Sequence, residues 1–355
     1  MSVLDDIDEI KRIDKEWMYR LILDFPNQLA DALKISKKVD LKTINANSIE
    51  NIIVAGMGGS AIGGDLVRSY LAEEIDLPFF VCKNYTLPQF VSQKSLVFVS
   101  SYSGNTEETL SAYQDAKKRK AQVISICSGG KLNELTLKDG FPLVEMPRGF
   151  PPRAALGYGF GPILLTLSRL KLIRNKENEL KKALGFLSKN VTQYKMEKDS
   201  SENKAKELAL KLHHKLPIIY ASVDFFDAVA YRWKCQICEN SKMLAYSNVF
   251  PEFNHNELVG WNILNGLGDN LVVVILRDKD DHPRIKRRME IVKKIIQEKK
   301  IEVIEVESQG ENLLSRILSL IQLGDFVSFY LAILNKVNPT PVKVIDFLKN
   351  ELGKE

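Results

Sequence analysis

The chain has 355 residues, enough for two domains that each bury a core of their own. Hydrophobic residues make up 45% of it and charged residues 27%, close to the averages of globular proteins, which excludes disordered and fibrous classes. The 50 Lys+Arg and 45 Asp+Glu leave a net charge of +5 that is spread along the chain. Composition therefore gives little support to a nucleic-acid or membrane-surface partner.

The sequence gives only weak indications of a targeting segment or of a metal or redox role for its cysteines. No apolar run approaches the ~20 residues needed to span a bilayer, and the N-terminal MSVLDDIDEIKRIDKEW is charged and mixed in sign, unlike a signal peptide. Cys235 and Cys238 form C-Q-I-C without a second pair or a histidine at ligand spacing, which argues against zinc. A redox pair stays open, although RWKCQICENSK is typical of mid-helix sequence. We expect a cytoplasmic protein with no metal or cofactor and with no membrane or nucleic-acid partner.

The first half of the chain alternates between helical and β-rich patterns. Helical periodicity over residues 1–45 predicts a helical lead-in. Five apolar runs then alternate with helical stretches over 46–185. These runs are NIIVAGM (51–57), LPFFVCK (77–83), SLVFVSS (95–101), QVISICS (122–128) and FPLVEMP (141–147). Because they lack polar alternation, they suit parallel strands covered on both faces, which predicts a doubly wound α/β domain.

The second half repeats this pattern loosely. Residues 162–213 are predicted to be helical, and a second series of apolar runs follows over 186–355. These are LPIIYAS (216–222), KMLAYSN (242–248), LVVVILR (271–277) and IEVIEVE (301–307), before a helical tail broken at NPTPV (338–342). NIIVAGMGGSAIGGDLV corresponds to LPIIYASVDFFDAVAYRW, and in each a strand leads through a loop into a helix. The prediction is an α/β protein of two doubly wound, parallel-sheet, flavodoxin-like domains with helices at both ends.

A glycine-rich loop follows the first predicted strand. Within G-M-G-G-S-A-I-G-G (56–64), the spacing Gly56-x-Gly58-x-x-Ala61 fits a dinucleotide fingerprint. That fold also needs an acidic residue after the second strand to hold the ribose. Here the second strand ends in Cys82-Lys83-Asn84, so a nicotinamide enzyme is disfavoured.

Hydroxyl groups follow two of the predicted strands. Gly58, Gly59 and Ser60 come after the first strand, and Ser101, Ser103 and Thr106 come after the third, in SYSGNTEET. Both loops lead into helix N-termini, where free N–H groups and the helix dipole favour a phosphate. The plainer interpretation is helix capping, which accounts for Thr106 and its neighbour Asn105 but not for Ser101 and Ser103. The pattern favours a phosphate site that needs no cation.

These loops resemble the sugar isomerase (SIS) domain, and the duplication resembles a tandem SIS protein. Four other stretches carry candidate catalytic residues, although each has a plainer explanation as an exposed loop or helix residue or a satisfied core histidine. They are PRGFPPRAALGYGF (147–160) with Arg153, RWKCQICENSK (232–242) with Glu239, PEFNHNELVGW (251–261) with His255, and the C-terminal NPTPVKVIDFLKNELGKE with three lysines.

Taken together and in order, these motifs resemble the bifunctional phosphoglucose/phosphomannose isomerases of the phosphoglucose isomerase superfamily over nearly the whole chain. The resemblance implies a metal-independent aldose–ketose isomerase. Such an enzyme interconverts glucose 6-phosphate and mannose 6-phosphate with fructose 6-phosphate through a cis-enediol. Two details depart from the expected family pattern, the residues after the serine of the glycine loop and the CQIC run, and neither touches a proposed catalytic role.

The resemblance also implies residue roles. Glu239 is the base that shuttles the proton between carbons 1 and 2. His255 opens the sugar ring and is supplied by the partner chain of a homodimer with shared active sites. Arg153 stabilises the enediolate. Lys349 assists at the ring oxygen, with Lys343 as its rival, and Thr340 is a candidate for substrate selectivity.

Two further classes remain as alternatives. A non-catalytic SIS protein that binds a phosphosugar as a regulatory signal would need neither Glu239 nor His255, and no helix-turn-helix signature stands out in residues 1–45. Glucosamine-6-phosphate synthesis would need a glutaminase domain with an N-terminal cysteine, which this sequence does not show.

Overall fold

The structure, a computed structural model, describes residues 2–354. Its strands are β1 Asn51–Ala55, β2 Phe79–Cys82, β3 Ser95–Ser101, β4 Gln122–Cys127, β5 Leu143–Glu145, β6 Leu216–Ser222, β7 Tyr246–Phe250, β8 Leu271–Arg277 and β9 Glu302–Glu307. Its α-helices are α1 Ile7–Ile13, α2 Met18–Leu23, α3 Phe25–Lys38, α4 Ile62–Tyr70, α5 Glu107–Lys118, α6 Gly130–Asp139, α7 Leu156–Arg169, α8 Glu177–Asn190, α9 Lys204–Leu212, α10 Asp227–Ser241, α11 Glu257–Gly260, α12 Pro283–Glu298, α13 Leu313–Leu334 and α14 Lys343–Leu352.

The strands form two parallel sheets. The first has the order β2-β1-β3-β4-β5 and the second β7-β6-β8-β9. Side chains of β1 alternate between two apolar clusters, with Ile52 and Val54 on one face and Ile53 and Ala55 on the other. Both faces of the sheet are therefore covered, as the unbroken apolar runs predict. The predicted fold class, two doubly wound α/β domains with flanking helices, is confirmed.

Some predicted element bounds are wrong. The run at 242–248 was expected to be a strand, but β7 starts only at Tyr246. The reason is Lys242, which ends α10 in a left-handed conformation (φ 58°), so that a turn separates helix and strand. The predicted boundary between residues 185 and 186 falls inside α8. The division of the chain into 1–45, 46–185 and 186–355 stays a prediction.

The N-terminal helices support the turn that carries Arg153. The Gln28 side chain on α3 donates from Nε2 to the Ala154 carbonyl at 2.6 Å and accepts from the Gly157 N–H at 3.1 Å. A Cβ on Gly157 would lie 2.5 Å from the Gln28 Cβ, so only glycine allows α3 to approach α7 this closely. The helical lead-in therefore fixes a segment of the first domain next to the candidate site.

The long helix α13 forms the centre of the second half. It spans 22 residues, and its most apolar 18-residue window has a mean hydropathy of 1.9, so by length and composition alone it could cross a membrane. However, 94% of its most apolar window is buried inside the protein, where it packs against α8, α9 and α10. Its burial is that of a core helix.

Candidate active site

The glycine loop after β1 lies against the Arg153 turn. Residues Gly58–Ser60 form a single 3₁₀ turn before α4. A Cβ built on Gly59 would lie 2.6 Å from the Pro152 carbonyl carbon and 2.7 Å from the Arg153 nitrogen. No side chain fits there, so the glycine lets two backbone segments touch. The Ser60 hydroxyl accepts a hydrogen bond from the Tyr102 N–H at 2.9 Å, which ties this loop to the loop after β3.

The loop after β3 folds around one buried hydroxyl. Ser101 donates from Oγ to Thr106 Oγ1 at 3.0 Å and accepts from the Gly104 N–H at 3.1 Å. Gly104 has φ +68°, and a Cβ there would lie 1.8 Å from the Gly129 carbonyl oxygen. Ser103 is exposed beside this turn. The six predicted phosphate-binding residues thus lie on two connected loops at the carboxyl end of neighbouring strands.

The helix-capping interpretation does not account for this loop. Thr106 precedes α5, yet among the described contacts its side chain makes no hydrogen bond to an N–H of that helix. The Asn105 side chain accepts instead from the Lys131 N–H of a neighbouring loop at 2.9 Å. The amide groups at the start of α5 are therefore left available for an anion.

The carboxylate of Glu239 lies across a small pocket from the glycine loop. Glu239 is near the end of α10, whose residue Cys235 lies one helical turn earlier on the same face. Gly58, Gly59, Arg153, Cys235 and Glu239 line one pocket between the two halves of the chain. The structure thus brings part of the predicted phosphate site together with two predicted catalytic residues.

The cysteines of the CQIC run belong to α10, as expected, and both are free thiols. Burial raises the pKa of the Cys235 thiol. A raised pKa disfavours the thiolate, which is the reactive form in redox exchange. Cys235 therefore contributes to this pocket as a small, neutral wall residue.

Arg153 is buried, contrary to the plain interpretation of an exposed loop arginine. Its side chain is only 3% exposed. Nε donates to Asn240 Oδ1, and Nη2 donates to the carbonyl oxygens of Pro339 and Thr340, each at 2.7 Å. Nη1 lies 3.6 Å from Glu239 Oε2. The guanidinium thus joins the first half of the chain, the end of α10 and the segment before α14.

Lys242 is a site residue that sequence reasoning missed. Its Nζ donates to the carbonyl oxygen of Glu239 and, at 3.0 Å, to that of Pro339. Burial of the ammonium and the neighbouring Arg153 lower the pKa of Lys242 to about 8, although Glu239 acts in the opposite direction. The ENSK run shows a lysine near Glu239, but only the left-handed turn at Lys242 directs its side chain back over the helix end.

The Thr340 hydroxyl is buried next to these groups. Within residues 2–354, Thr340 Oγ1 has no hydrogen-bond partner. An unpaired buried hydroxyl is costly unless a ligand satisfies it. The position beside Arg153 makes a substrate hydroxyl a suitable partner.

His255 and Lys349 do not join this group within one protomer. Glu239 is near the amino end of the second sheet, whereas His255 follows the carboxyl end of β7. The five residues of β7 alone span about 16 Å. His255 is exposed, and so are both candidate lysines, Lys343 and Lys349, on α14.

The corresponding loop of the second half carries carboxylates where the first half carries hydroxyls. After β8, Asp278 accepts from Arg316 Nε at 2.8 Å, and Asp281 accepts from the Ser222 hydroxyl at 2.6 Å. Ionised carboxylates accept hydrogen bonds but donate none, so they cannot bind a phosphate as the hydroxyls of the first half can. In the part of the chain that the structure describes, no group of three His, Cys, Asp or Glu side chains could hold a metal ion.

Comparisons with known proteins fit this arrangement. Residues 47–134 match the family model of the SIS domain, and residues 201–352 match that of the bacterial phospho-glucose isomerase C-terminal SIS domain. A bifunctional phosphoglucose/phosphomannose isomerase of Caldicellulosiruptor bescii is 45% identical over 95% of this chain and 99% of its own length. The enzyme of that name from Aquifex aeolicus is 39% identical over 86% of this chain and 91% of its own.

A solved structure supports the fold. The crystal structure of a glucose-6-phosphate isomerase like protein from Thermus thermophilus covers 96% of this chain and 98% of its own, with a TM-score of 0.62 at 18% identity. The fold and the paired loops define a tandem SIS protein. The chain belongs to the family of bifunctional phosphoglucose/phosphomannose isomerases, which confirms the expected family and favours an isomerase over a non-catalytic sensor.

Proposed function

We propose that this protein interconverts glucose 6-phosphate and mannose 6-phosphate with fructose 6-phosphate. The observation that carries the proposal is the pocket in which Glu239 and Arg153 face the glycine loop of the hydroxyl cradle. An anchor for a phosphate and a carboxylate beside a buried cation are what an aldose–ketose isomerisation of a phosphosugar requires. The family membership supports both aldose substrates.

The first step of the proposed mechanism is the binding of the substrate's phosphate group. In this proposal, Ser60, Ser103 and Thr106 donate hydroxyl hydrogen bonds to its oxygens, and Ser101 turns its single hydroxyl proton from Thr106 Oγ1 to the phosphate when the anion binds. The backbone of Gly58 and Gly59 approaches it closely, and the first turn of α5 adds N–H groups and a favourable dipole. Because Ser60 is bonded to the Tyr102 N–H, the two loops keep a fixed spacing, so the far end of the sugar is placed reproducibly against α10.

The proton transfer is assigned to Glu239. In the open-chain sugar the carboxylate takes the proton from carbon 2 of an aldose and returns it to carbon 1, and it does the reverse for the ketose. The negative charge that develops on the enediolate lies next to Arg153, whose buried guanidinium stabilises it. Both aldoses share this enediol, and Thr340 is our candidate for the hydroxyl that lets the site accept both.

The remaining groups are assigned to a homodimer. Within the described residues of its own protomer, Glu239 has no histidine among its contacts, and α14 presents Val344, Phe347 and Leu348 to solvent at 82%, 65% and 57% exposure. Val259 and Ile263 near His255 are 69% and 76% exposed. Exposed apolar groups of this extent are typical of interaction surfaces. We therefore infer that the partner subunit covers them and supplies His255 for ring opening, with Lys349 rather than Lys343 assisting from α14. A cytoplasmic location belongs to the same proposal.

A coupled assay tests the function. Wild-type protein with fructose 6-phosphate is expected to form both glucose 6-phosphate and mannose 6-phosphate without added metal. Glu239→Gln should lose at least ~10²-fold in rate, the scale of general acid–base catalysis. Glu298→Gln, at an exposed position ending α12, is the matched control and should keep wild-type rates. Absence of both products with the wild type would refute the proposal, and full activity in Glu239→Gln would refute the assignment of the base.

A further inference from the structure

The guanidinium of Arg153 is surrounded by neutral oxygens. Its three hydrogen-bond acceptors are the Asn240 amide and the carbonyl oxygens of Pro339 and Thr340. The charged neighbour, Glu239, is more distant, with 3.6 Å between Oε2 and Nη1. Acceptors of this kind fix the direction of the guanidinium without neutralising it. Its positive charge therefore remains available to a group that lies beside Glu239.

Asn240 is itself held rigidly. The side chain is fully buried, and its Nδ2 donates to the Ser328 hydroxyl on α13 at 2.9 Å. The Ser328 hydroxyl donates in turn to the Asp325 carbonyl oxygen at 2.8 Å. Since the amide nitrogen is engaged with α13, the amide oxygen must point to Arg153. The direction of the amide is thus set by the packing of α10 on α13.

A second buried arginine, Arg232, has a carboxylate as its partner instead of an amide. Arg232 donates from Nη2 to the carboxylate of Asp325 at 2.7 Å and also to the carbonyl oxygen of Arg153 at 3.1 Å. Gln236 donates to the other carboxylate oxygen of Asp325 at 2.9 Å. Arg232 is therefore paired with a buried anion and acts as a neutral support for the Arg153 backbone. Arg153, one contact away, is paired with an amide where a carboxylate would also fit.

We propose that Asn240 is a positioning residue that aims the Arg153 guanidinium through a neutral oxygen and thereby keeps its positive charge for the enediolate. This inference rests on the proposed function. Asn240 is not among the residues that line the pocket, and in this proposal it acts only through Arg153. An aspartate at this position would accept the same hydrogen bond but would place a full negative charge 2.7 Å from Nε.

A purely structural role of Asn240 predicts a different experimental result. Aspartate has the shape of asparagine, and the Ser328 hydroxyl can turn to donate to it, so the packing of α10 on α13 would survive in Asn240→Asp. A charge added this close to the guanidinium weakens anion binding in either case, so the two roles are separated by Asn240→Leu, which removes the oxygen without adding a charge. If Asn240 only packed the two helices, Asn240→Leu would still prefer an anionic over an uncharged ligand at the reacting end. If the asparagine oxygen aims the guanidinium, Asn240→Leu would lose that preference.

The test compares two ligands that share the phosphate. Arabinonate 5-phosphate carries a carboxylate where the enediolate forms, and arabinitol 5-phosphate carries an uncharged alcohol there. In Asn240→Asp we expect the dissociation constant of the acid to rise by ~10-fold or more, because the added carboxylate offsets the guanidinium at close range. The dissociation constant of the alcohol should change less than threefold. The kcat of Asn240→Asp should fall by ~10²-fold, the scale of lost transition-state charge stabilisation.

Three variants complete the design. Asn203→Asp makes the same change at a buried asparagine that caps α9, and it should leave both dissociation constants unchanged. Asn240→Ser keeps a neutral oxygen and should keep the preference for the acid, whereas Asn240→Leu removes the oxygen and should lose it. If Asn240→Asp does not fold, the comparison of Asn240→Ser with Asn240→Leu tests the inference.

Wild-type affinities in Asn240→Asp, or equal preferences in Asn240→Ser and Asn240→Leu, would overturn the inference. Its failure differs from failure of the proposed function, in which the wild type would neither bind these ligands nor form either aldose.

Discussion

Substituting Gly59 by alanine tests whether the contact between the glycine loop and the Arg153 turn organises the site. The added Cβ would lie 2.6 Å from the Pro152 carbonyl carbon. Carbon atoms in contact are normally ~3.5–4.0 Å apart, so the two segments must separate by about 1 Å. Backbone atoms on both sides leave no flexible side chain to absorb this shift.

The Gly59→Ala substitution is expected to affect the reaction rate more than the folded structure. Overpacking of this kind costs about 1–3 kcal/mol of folding stability, which should lower the melting temperature without unfolding the protein. A displacement of about 1 Å between the phosphate anchor and the reacting groups can cost ~10²-fold in rate, so kcat/KM for fructose 6-phosphate should fall by that order. The measurement is kcat/KM with a thermal melt of the same preparation.

Gly185→Ala is the matched control, because a Cβ at that exposed position of α8 meets nothing within 4 Å. It should keep wild-type kinetics and gain up to ~1 kcal/mol of stability. A folded Gly59→Ala protein with kcat/KM within threefold of wild type would show that the loop and the Arg153 turn do not need their close contact for activity.

Two further predictions concern Lys242 and the dimer. The ammonium of Lys242 lies beside Glu239 and Arg153, and we infer that its charge also stabilises the enediolate. Because the pKa of Lys242 is lowered to about 8, this charge is lost above that pH, and kcat/KM should decline there. Lys242→Arg stays charged and should move the decline to higher pH, whereas an unchanged profile would show that the charge of Lys242 does not assist the reaction. If Glu239 and His255 of one site come from different chains, mixing Glu239→Gln and His255→Ala subunits under exchange should restore about a quarter of wild-type activity, since half of the random dimers hold one intact site. Activity no greater than that of the separate variants would show that both residues act from one chain.

The fold and the placement of the two hydroxyl-bearing loops were predictable because their signals are local. Unbroken apolar runs mark β1 and β3, and the glycines and hydroxyls follow them directly in the sequence, so parallel pairing alone brings Ser60 and Ser101 to one edge of the sheet. The bounds of β7 were not predictable, because lysine rarely adopts the left-handed conformation and nothing in the sequence indicates it at Lys242.

The environment of Arg153 could not be derived from the sequence for a different reason. Its partners Asn240 and Pro339 are 87 and 186 positions away along the chain, and no local pattern relates such distant residues. The N-terminal helices add a third distant contact through Gln28 and the Ala154 carbonyl. The family resemblance pointed to Arg153 and Glu239, but their burial and their contacts with Asn240 and Lys242 emerge only from tertiary packing.

In the proposed mechanism, Glu239 moves a proton through an enediol shared by both aldoses. The most direct test of this mechanism is incubation of fructose 6-phosphate in D₂O with the protein, followed over many turnovers by NMR. We expect deuterium at carbon 2 of both glucose 6-phosphate and mannose 6-phosphate, and none with Glu239→Gln. Product formation with no deuterium in either aldose or in recovered substrate, or undiminished exchange in Glu239→Gln, would contradict this mechanism.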